Sequence, residues 1–324
     1  MKYFVTGATG FVGNAVVRQL TAAGHSVQAV VRDPEKAKEL AKPGVKLFAG
    51  DVTEKESLRA GMSGVNGIFH IAGWYKIGTR DKSGGERVNI QGTHNVLELM
   101  KELGIRKGVY TSTLAVYSDT HGQLVEESYH FNGRHLSEYD RTKAVAHDIA
   151  VKMINEGLPL TIVLPGIVYG PGDTSSLRTN LIDYLKRRLP IIPRRTAFCF
   201  AHVEDVARGH LLAMEKGRIG EIYNINGEPA TLEDMFKLAR EITGVPLPPT
   251  TSPGMIAFSS KVMGLLEKVL PIPESFTSEG LRVVAGVTYL GDNSKARREL
   301  GYDPRPLREG LKQTLEHEMS LLVS

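Results

Sequence analysis

The chain has 324 residues, 41% of them hydrophobic and 23% charged, which is the composition of a globular protein with one large domain or a large and a smaller one, and excludes a disordered or fibrous chain. The net charge of +4 is dispersed, with short basic clusters only at Lys186-Arg187-Arg188 and Arg194-Arg195, so a nucleic-acid-binding face is not expected. The single cysteine, Cys199, excludes an intramolecular disulfide and a thiolate metal cluster, and no apolar run reaches the ~18 residues of a membrane span.

The first candidate strand, Tyr3–Thr6, runs into "TGATGFVG", with glycines at 7, 10 and 13. Thr6 and Gly7 interrupt the opening apolar run, so it does not read as a signal peptide and a cytoplasmic location is expected. A helix over 11–23 follows, completing the strand–turn–helix context of a phosphate-binding turn. Gly7 and Gly10 let backbone N–H groups approach a pyrophosphate at the positive end of the helix, and Gly13 lets the helix pack against the strand. Alone, the same glycines also fit a turn with no ligand.

The second strand, Val27–Val31, ends in "VVRDP". At this position a carboxylate reads a free ribose 2′-hydroxyl and an arginine a 2′-phosphate. Arg32 suits the phosphate, with Lys36 assisting. Asp33 is either the ribose carboxylate or, before Pro34, the cap of a helix over 35–41. NADP(H) is therefore favoured over NAD(H). After the third strand, Lys46–Phe48, Asp51 is placed to accept from an adenine amino group, or is a turn residue before "TEKE" at 53–56, a capping-box pattern for a helix over 54–62.

Strands Gly67–Ile71, Gly108–Thr111 and Leu160–Leu164 alternate with helices over 86–103 and 138–156. Such continuous Val/Ile-rich strands between helices predict a parallel sheet covered on both faces. Trp74, Tyr75 and Ile77 follow the fourth strand, where they either cover a hydrophobic substrate or pack between domains. Thr113 stands at the carboxyl end of the fifth strand, and "YDRTK" puts Tyr139 and Lys143 on one helix face. A Tyr-x-x-x-Lys spacing is common by chance. With Thr113 at the ligand-binding edge, however, the three form an acid–base site: the ammonium lowers a phenol pKa from about 10, Thr113 bonds the reacting oxygen, and Lys143 holds the nicotinamide ribose. No metal site is expected.

After Pro171 the chain is proline-rich over 172–200 and 228–324. Between these segments, "HVEDVARGHLLAMEKG" and "EIYNING" read as a helix and a strand returning to the main sheet. "SSLRTNLIDYLKRRLPII" reads as part of the wall opposite Trp74 and Tyr75. The stretch 255–270 is an amphipathic helix of the smaller domain or a lipophilic surface. The predicted boundaries are 1–172 with 200–228 for nucleotide binding, and 173–199 with 229–324 for the substrate.

The set "TGATGFVG", "GDV", "HIAG", "VNIQGTHNVLE", "TSTLAVY", "YDRTK", "LPGIVYGPGD", "HVEDVARGH", "GEIYNINGE" and "SKARRELGYDPRPLREGL" closely resembles the extended short-chain dehydrogenase/reductases, of the NAD-dependent epimerase/dehydratase type, over essentially the whole chain. "VVRDPEKAKEL" looks most like the dihydroflavonol reductase-like branch, whose members are typically NADPH-dependent carbonyl reductases. The resemblance implies an α/β Rossmann doubly wound sheet with a smaller C-terminal α/β domain, and catalysis by Thr113, Tyr139 and Lys143. Thr113 is chosen over Ser112 because the family's active hydroxyl stands four residues before the tyrosine of "VY", here Tyr117. The resemblance also implies cofactor contacts by Gly7, Thr9, Gly10, Phe11, Val12, Asp51, Val52, Ala72 and Pro165. Asn89 either supports the cofactor region or is a helix-surface amide. Leu164 replaces a common arginine and His147 a common glutamate.

Three functions follow: a reductase or dehydrogenase on a small-molecule ketone, aldehyde or secondary alcohol; a nucleotide-sugar epimerase with retained NAD; and a non-catalytic NADP(H) sensor. A dehydratase is disfavoured by Leu114-Ala115 where such enzymes carry Asp-Glu, an epimerase by Arg32, and a sensor by the presence of both Tyr139 and Lys143. Relatives often dimerise through the helices at 86–103 and 138–156, the dihydroflavonol-type branch often does not, and a homodimer stays open.

Overall fold

Strands buried on both faces organise the molecule. The structure, a computed structural model, describes residues 1–267, 269–270 and 272–323. In chain order the first ten strands are β1 (Lys2–Thr6), β2 (Ser26–Val31), β3 (Val45–Ala49), β4 (Gly67–His70), β5 (Gly108–Thr111), β6 (Leu160–Leu164), β7 (Ile167–Tyr169), β8 (Ile192–Pro193), β9 (Ala197–His202) and β10 (Ile222–Asn224). Seven of them form one sheet in the order β10-β6-β5-β4-β1-β2-β3, with every pairing parallel. The order reverses between β1 and β4, the point at which doubly wound sheets open a ligand crevice at their carboxyl edge.

Side-chain alternation along these strands feeds two cores. Phe4, Ile68, Tyr110 and Ile162 point to one face, against α2 (Lys55–Met62), α3 (Gly92–Glu102) and α4 (Glu138–Asn155). Tyr3, Val5, Phe69, Val109 and Val163 point to the other, against α1 (Phe11–Ala22) and the helix Val203–Glu215. A third core lies beyond the sheet, where Tyr184, Phe200, Phe236, Leu311 and Leu315 pack together. It includes β9, which pairs with β7, with Pro229–Thr231 and with Thr288–Tyr289.

Several local expectations need correction. The stretch 35–41 is not an α-helix: it is a run of turns, of which only Lys38–Leu40 forms a 3-10 helical turn. Asp33 does cap it, accepting from the Glu35 and Lys36 N–H groups at 3.1 and 3.3 Å, but so short a segment does not repay the cost of helix nucleation. The capping box at 53–56 does not form. The Thr53 hydroxyl donates to Asp51 Oδ1 at 2.9 Å instead, and α2 starts at Lys55 without a side-chain cap. The helix expected over 86–103 opens with a π-helical stretch, Gly85–Gln91, before α3. The amphipathic helix expected over 255–270 spans Pro253–Leu266; Lys268 of that stretch lies outside the described residues.

The opening turn is sterically tight. Gly7 has φ +72°, and a Cβ there would stand 2.7 Å from the Ala72 nitrogen. A Cβ on Gly13 would overlap the Gly7 carbonyl oxygen. A Gly13→Ala variant is expected to lose about 1–3 kcal/mol of stability from overpacking, read as a lower midpoint in guanidinium unfolding, and to bind nicotinamide dinucleotide more weakly.

Candidate active site

The carboxyl ends of β1 to β6 carry nearly every residue singled out in the sequence. Gly7, Thr9 and Gly10 form the turn after β1, and the Gly10 N–H donates to the Gly7 carbonyl at 2.9 Å. Phe11 and Val12 begin α1, whose first N–H groups have no intrahelical acceptor, and their side chains pack partly into the core. Arg32 is exposed at the end of β2 and makes no ion pair among the described residues. Lys36 lies 3.6 Å from Asp33, both exposed. Because Asp33 Oδ1 is taken by the two backbone N–H groups, the carboxylate serves as a cap.

Asp51 Oδ1 accepts from the Thr53 N–H at 2.9 Å as well as from its hydroxyl, so this oxygen is committed to the turn. The second Asp51 oxygen has no partner among the described residues. Val52 is buried, its carbonyl taking the Asn95 amide at 2.9 Å. Ala72 follows β4 and abuts Gly7. Pro165 is buried after β6, and its carbonyl accepts from the Leu114 N–H at 3.0 Å. The cleft between α1 and residues 36–45 has a volume of about 580 Å³ and is lined by Thr9, Asn14, Arg18, Lys36 and Lys42, among others.

Thr113 is held in extended backbone at the start of a 3-10 turn, its hydroxyl oxygen accepting from the Ala115 N–H at 3.2 Å. Its hydroxyl hydrogen has no acceptor among the described residues, and the group lies near enough to the Tyr139 phenol to influence its ionisation. Ser112 is turned away, its hydroxyl 2.9 Å from His147 Nδ1. Ser137 caps α4, accepting from the Asp140 N–H at 3.1 Å, and so sets Tyr139 in the first turn. Lys143, one turn later, is buried. Its ammonium donates to the Thr111 carbonyl at 2.8 Å and the Tyr110 hydroxyl at 3.3 Å and sits 4.9 Å from the Tyr110 ring centre.

Burial dominates the electrostatics. It raises the Tyr139 phenol well above its ordinary pKa of 10, with the Thr113 hydroxyl opposing, and it lowers Lys143 to about 7. The expected lowering of the phenol by Lys143 is therefore not what this structure shows, because the ammonium is committed to β5. Tyr139 is neutral at neutral pH. The neighbouring Asp140 carboxyl is pushed up to about 6 by burial, against hydrogen bonds from Ser137 and Tyr289.

Sequence reasoning missed how the substrate side is tied to the site. Asn89 is buried, not a surface amide. Its Oδ1 accepts from the Trp74 N–H at 2.7 Å, and its Nδ2 donates to the Trp74 carbonyl and to Thr142 of α4. It thereby holds the loop after β4 in place. Tyr75 of that loop packs edge-on against Tyr139, centroids 4.8 Å apart. The buried Glu279 accepts from Lys82 at 2.6 Å and from the Glu138 N–H at 3.0 Å. A carboxylate far along the chain pairing with a helix start carries no local sequence signal.

A model described as "NAD dependent epimerase/dehydratase family" matches residues 3–226. The chain belongs to that family. Within it, the chain is an extended short-chain dehydrogenase/reductase and a nicotinamide-dependent enzyme. It is 31% identical to a Synechocystis protein provisionally named dihydroflavonol 4-reductase, over 95% of this chain and 92% of that one. It is equally 31% identical to a Stigmatella aurantiaca 4-hydroxy-2-methyl-3-oxo-4-farnesyl-3,4-dihydroquinoline-1-oxide ketoreductase, over 94% and 92%. The solved structure of gox2253 superposes with a TM-score of 0.86 at 29% identity, covering 98% of both chains. A UDP-glucose 4-epimerase from Thermotoga maritima superposes at 0.78 and 24% identity, covering 99% of this chain and all of that one, which is a likeness of fold. No helix among the described residues is long and apolar enough to cross a membrane.

The buried Lys143 makes stability depend on pH. Its folded pKa, about 7, lies below the ordinary 10.5, so between these values the unfolded chain binds more protons and its stability rises with pH. Denaturant unfolding of cofactor-free protein from pH 7 to 9.5 is expected to show this rise, and Lys143→Met to flatten it.

Proposed function

We propose that the chain is an NADP(H)-dependent oxidoreductase that reduces a ketone or aldehyde, or oxidises the corresponding secondary alcohol, with Tyr139 as the general acid/base. The observation that carries this reading is the meeting of Tyr139 and Thr113 at the carboxyl edge of β5, with Lys143 one helical turn along. The tight Gly7–Gly13 turn, which side chains would fill, fits a dinucleotide diphosphate. Gly7, Thr9, Gly10, Phe11 and Val12 would hold it there, with Asp51, Val52, Ala72 and Pro165 along the same edge. Arg32 and Lys36, beside the capping Asp33, suit a 2′-phosphate. A bound nicotinamide supplies or accepts the hydride.

Tyr139, kept protonated by burial, gives its proton to the carbonyl oxygen. Thr113, whose hydroxyl hydrogen is free, donates a second hydrogen bond to that oxygen. Lys143 supports the cofactor ribose. The substrate enters between the Trp74–Ile77 loop and the lobe built from 173–199 and 229–324. Tyr75 lying against Tyr139 favours an apolar substrate, and the reductase names among the relatives favour the reducing direction.

Tyr139→Phe is expected to lower kcat about 10²–10⁴-fold in an NADPH-oxidation screen of ketones and aldehydes while leaving NADPH affinity within about twofold; unchanged turnover removes Tyr139 as the acid. Arg32→Glu is expected to cut the preference for NADPH over NADH by about 10–100-fold, measured as a ratio of kcat/KM values. Purified protein that retains a nicotinamide and ignores added NADPH would instead favour the epimerase reading.

A further inference from the structure

Behind Lys143 a row of buried polar side chains crosses the sheet. Thr6, His70 and Tyr110 are direct neighbours on β1, β4 and β5, and all three are fully buried, with Thr93 of α3 beside them. The directions of the first two hydrogens in this row are fixed by counting lone pairs. Thr6 Oγ1 accepts from the Ile71 and Ala72 N–H groups, each at 3.1 Å. With both lone pairs taken, its hydrogen goes to His70 Nδ1 at 2.8 Å.

His70 is neutral, its pKa lowered to about 3 by burial and by Lys143, so its one proton lies on Nε2 and is donated to Thr93 at 3.1 Å. The Thr93 oxygen keeps a second lone pair beside the Tyr110 hydroxyl, whose ionisation it influences. The Tyr110 ring lies stacked on His70, centroids 5.5 Å apart and planes 21° apart, so it cannot swing away. The hydrogens of Thr6 and His70 thus both point along the row toward Thr93. At its end Tyr110 presents an oxygen lone pair to the ammonium of Lys143.

We propose that Tyr110 is a positioning residue for Lys143, locked by His70 and Thr93 so that its hydroxyl and ring hold the ammonium in its charged form and leave one N–H free for the cofactor side. An ammonium has three donors. Two go to Thr111 and Tyr110, so the direction of the third is determined by this anchor. The row also begins at Thr6 and Ala72, which flank and abut the first glycine of the turn. Lys143 is therefore fixed relative to the same backbone that is assigned to the diphosphate. The titratable groups that face Lys143 are Tyr110 on β5, His70 on β4, and Tyr139 and His147 on α4. Both histidines are held neutral by burial, which leaves the Tyr110 oxygen and the Thr111 carbonyl as the groups stabilising the charge. The inference rests on the proposed catalytic role of Lys143.

The test uses full-length, cofactor-free protein with ¹⁵N-labelled lysine. Lys143 Nζ is assigned by its loss in Lys143→Met, and its titration is followed by NMR in wild type and Tyr110→Phe. Losing a hydrogen bond to a charged group is expected to lower the Lys143 pKa by about one unit. Since kcat/KM reports free-enzyme pKa values, it should then fall about ninefold at pH 8 but only about twofold at pH 6, for a group that moves from about 7 to about 6. Should the single variant fail to fold, Tyr110→Phe with Thr93→Val removes the orphaned hydroxyl and is expected to give the same shift. An unmoved Lys143 titration overturns the proposal. A moved titration with an unmoved kcat/KM profile upholds the anchoring and removes Lys143 from the catalytic reading.

Discussion

The Gly7 carbonyl oxygen stands where a side chain on Gly13 would be, and this contact sets how close α1 comes to β1. Its consequences spread along the carboxyl edge of the sheet. The turn between the two glycines is held in left-handed backbone at Gly7, a conformation that side chains disfavour. It lies against Ala72 and so fixes the end of β4 relative to β1. Neighbouring strands then place Thr6, His70 and Tyr110 side by side, and Tyr110 receives Lys143 from α4. One close approach between backbone atoms thus orders a line of contacts that reaches the candidate catalytic centre.

Burial sets the protonation of that centre. With few compensating charges nearby, the phenol of Tyr139 stays protonated and the ammonium of Lys143 is weakened, both for the reason that a charge is costly away from water. A protonated phenol beside a hydroxyl with a free hydrogen suits the proton transfer proposed for Tyr139. The substrate side is locked to the same groups: Asn89 pins the Trp74 backbone, Glu279 joins Lys82 to the start of α4, and the Tyr289 hydroxyl donates to Asp140 at 3.0 Å. Segments distant in sequence converge on the first two turns of α4, so the position of Tyr139 is set from several directions.

Much of this was legible in the chain itself. The glycine spacing, the apolar strands and the Thr113, Tyr139 and Lys143 positions depend on local rules: backbone conformation at glycine, side-chain alternation, and the helical repeat that puts positions 139 and 143 on one face. Asp33 was legible as a cap because the cap needs only the next three residues. What local pattern overstated was equally local. The stretch 35–41 has helix-forming residues but too few of them, and the "TEKE" box lost its threonine hydroxyl to Asp51.

The sequence by itself determined the order of the elements, the glycine turn and which residue types could do acid–base chemistry, because each of these rests on contacts within a few residues. Only the tertiary structure decided that Ser112 faces His147 while Thr113 faces Tyr139, that Asn89 is buried, and that Lys143 is anchored by Tyr110 and not by the phenol it was expected to activate. Those outcomes depend on which side chains meet across strands and helices tens of residues apart, and on how much water they lose in doing so. Neither quantity is written in any local stretch of chain.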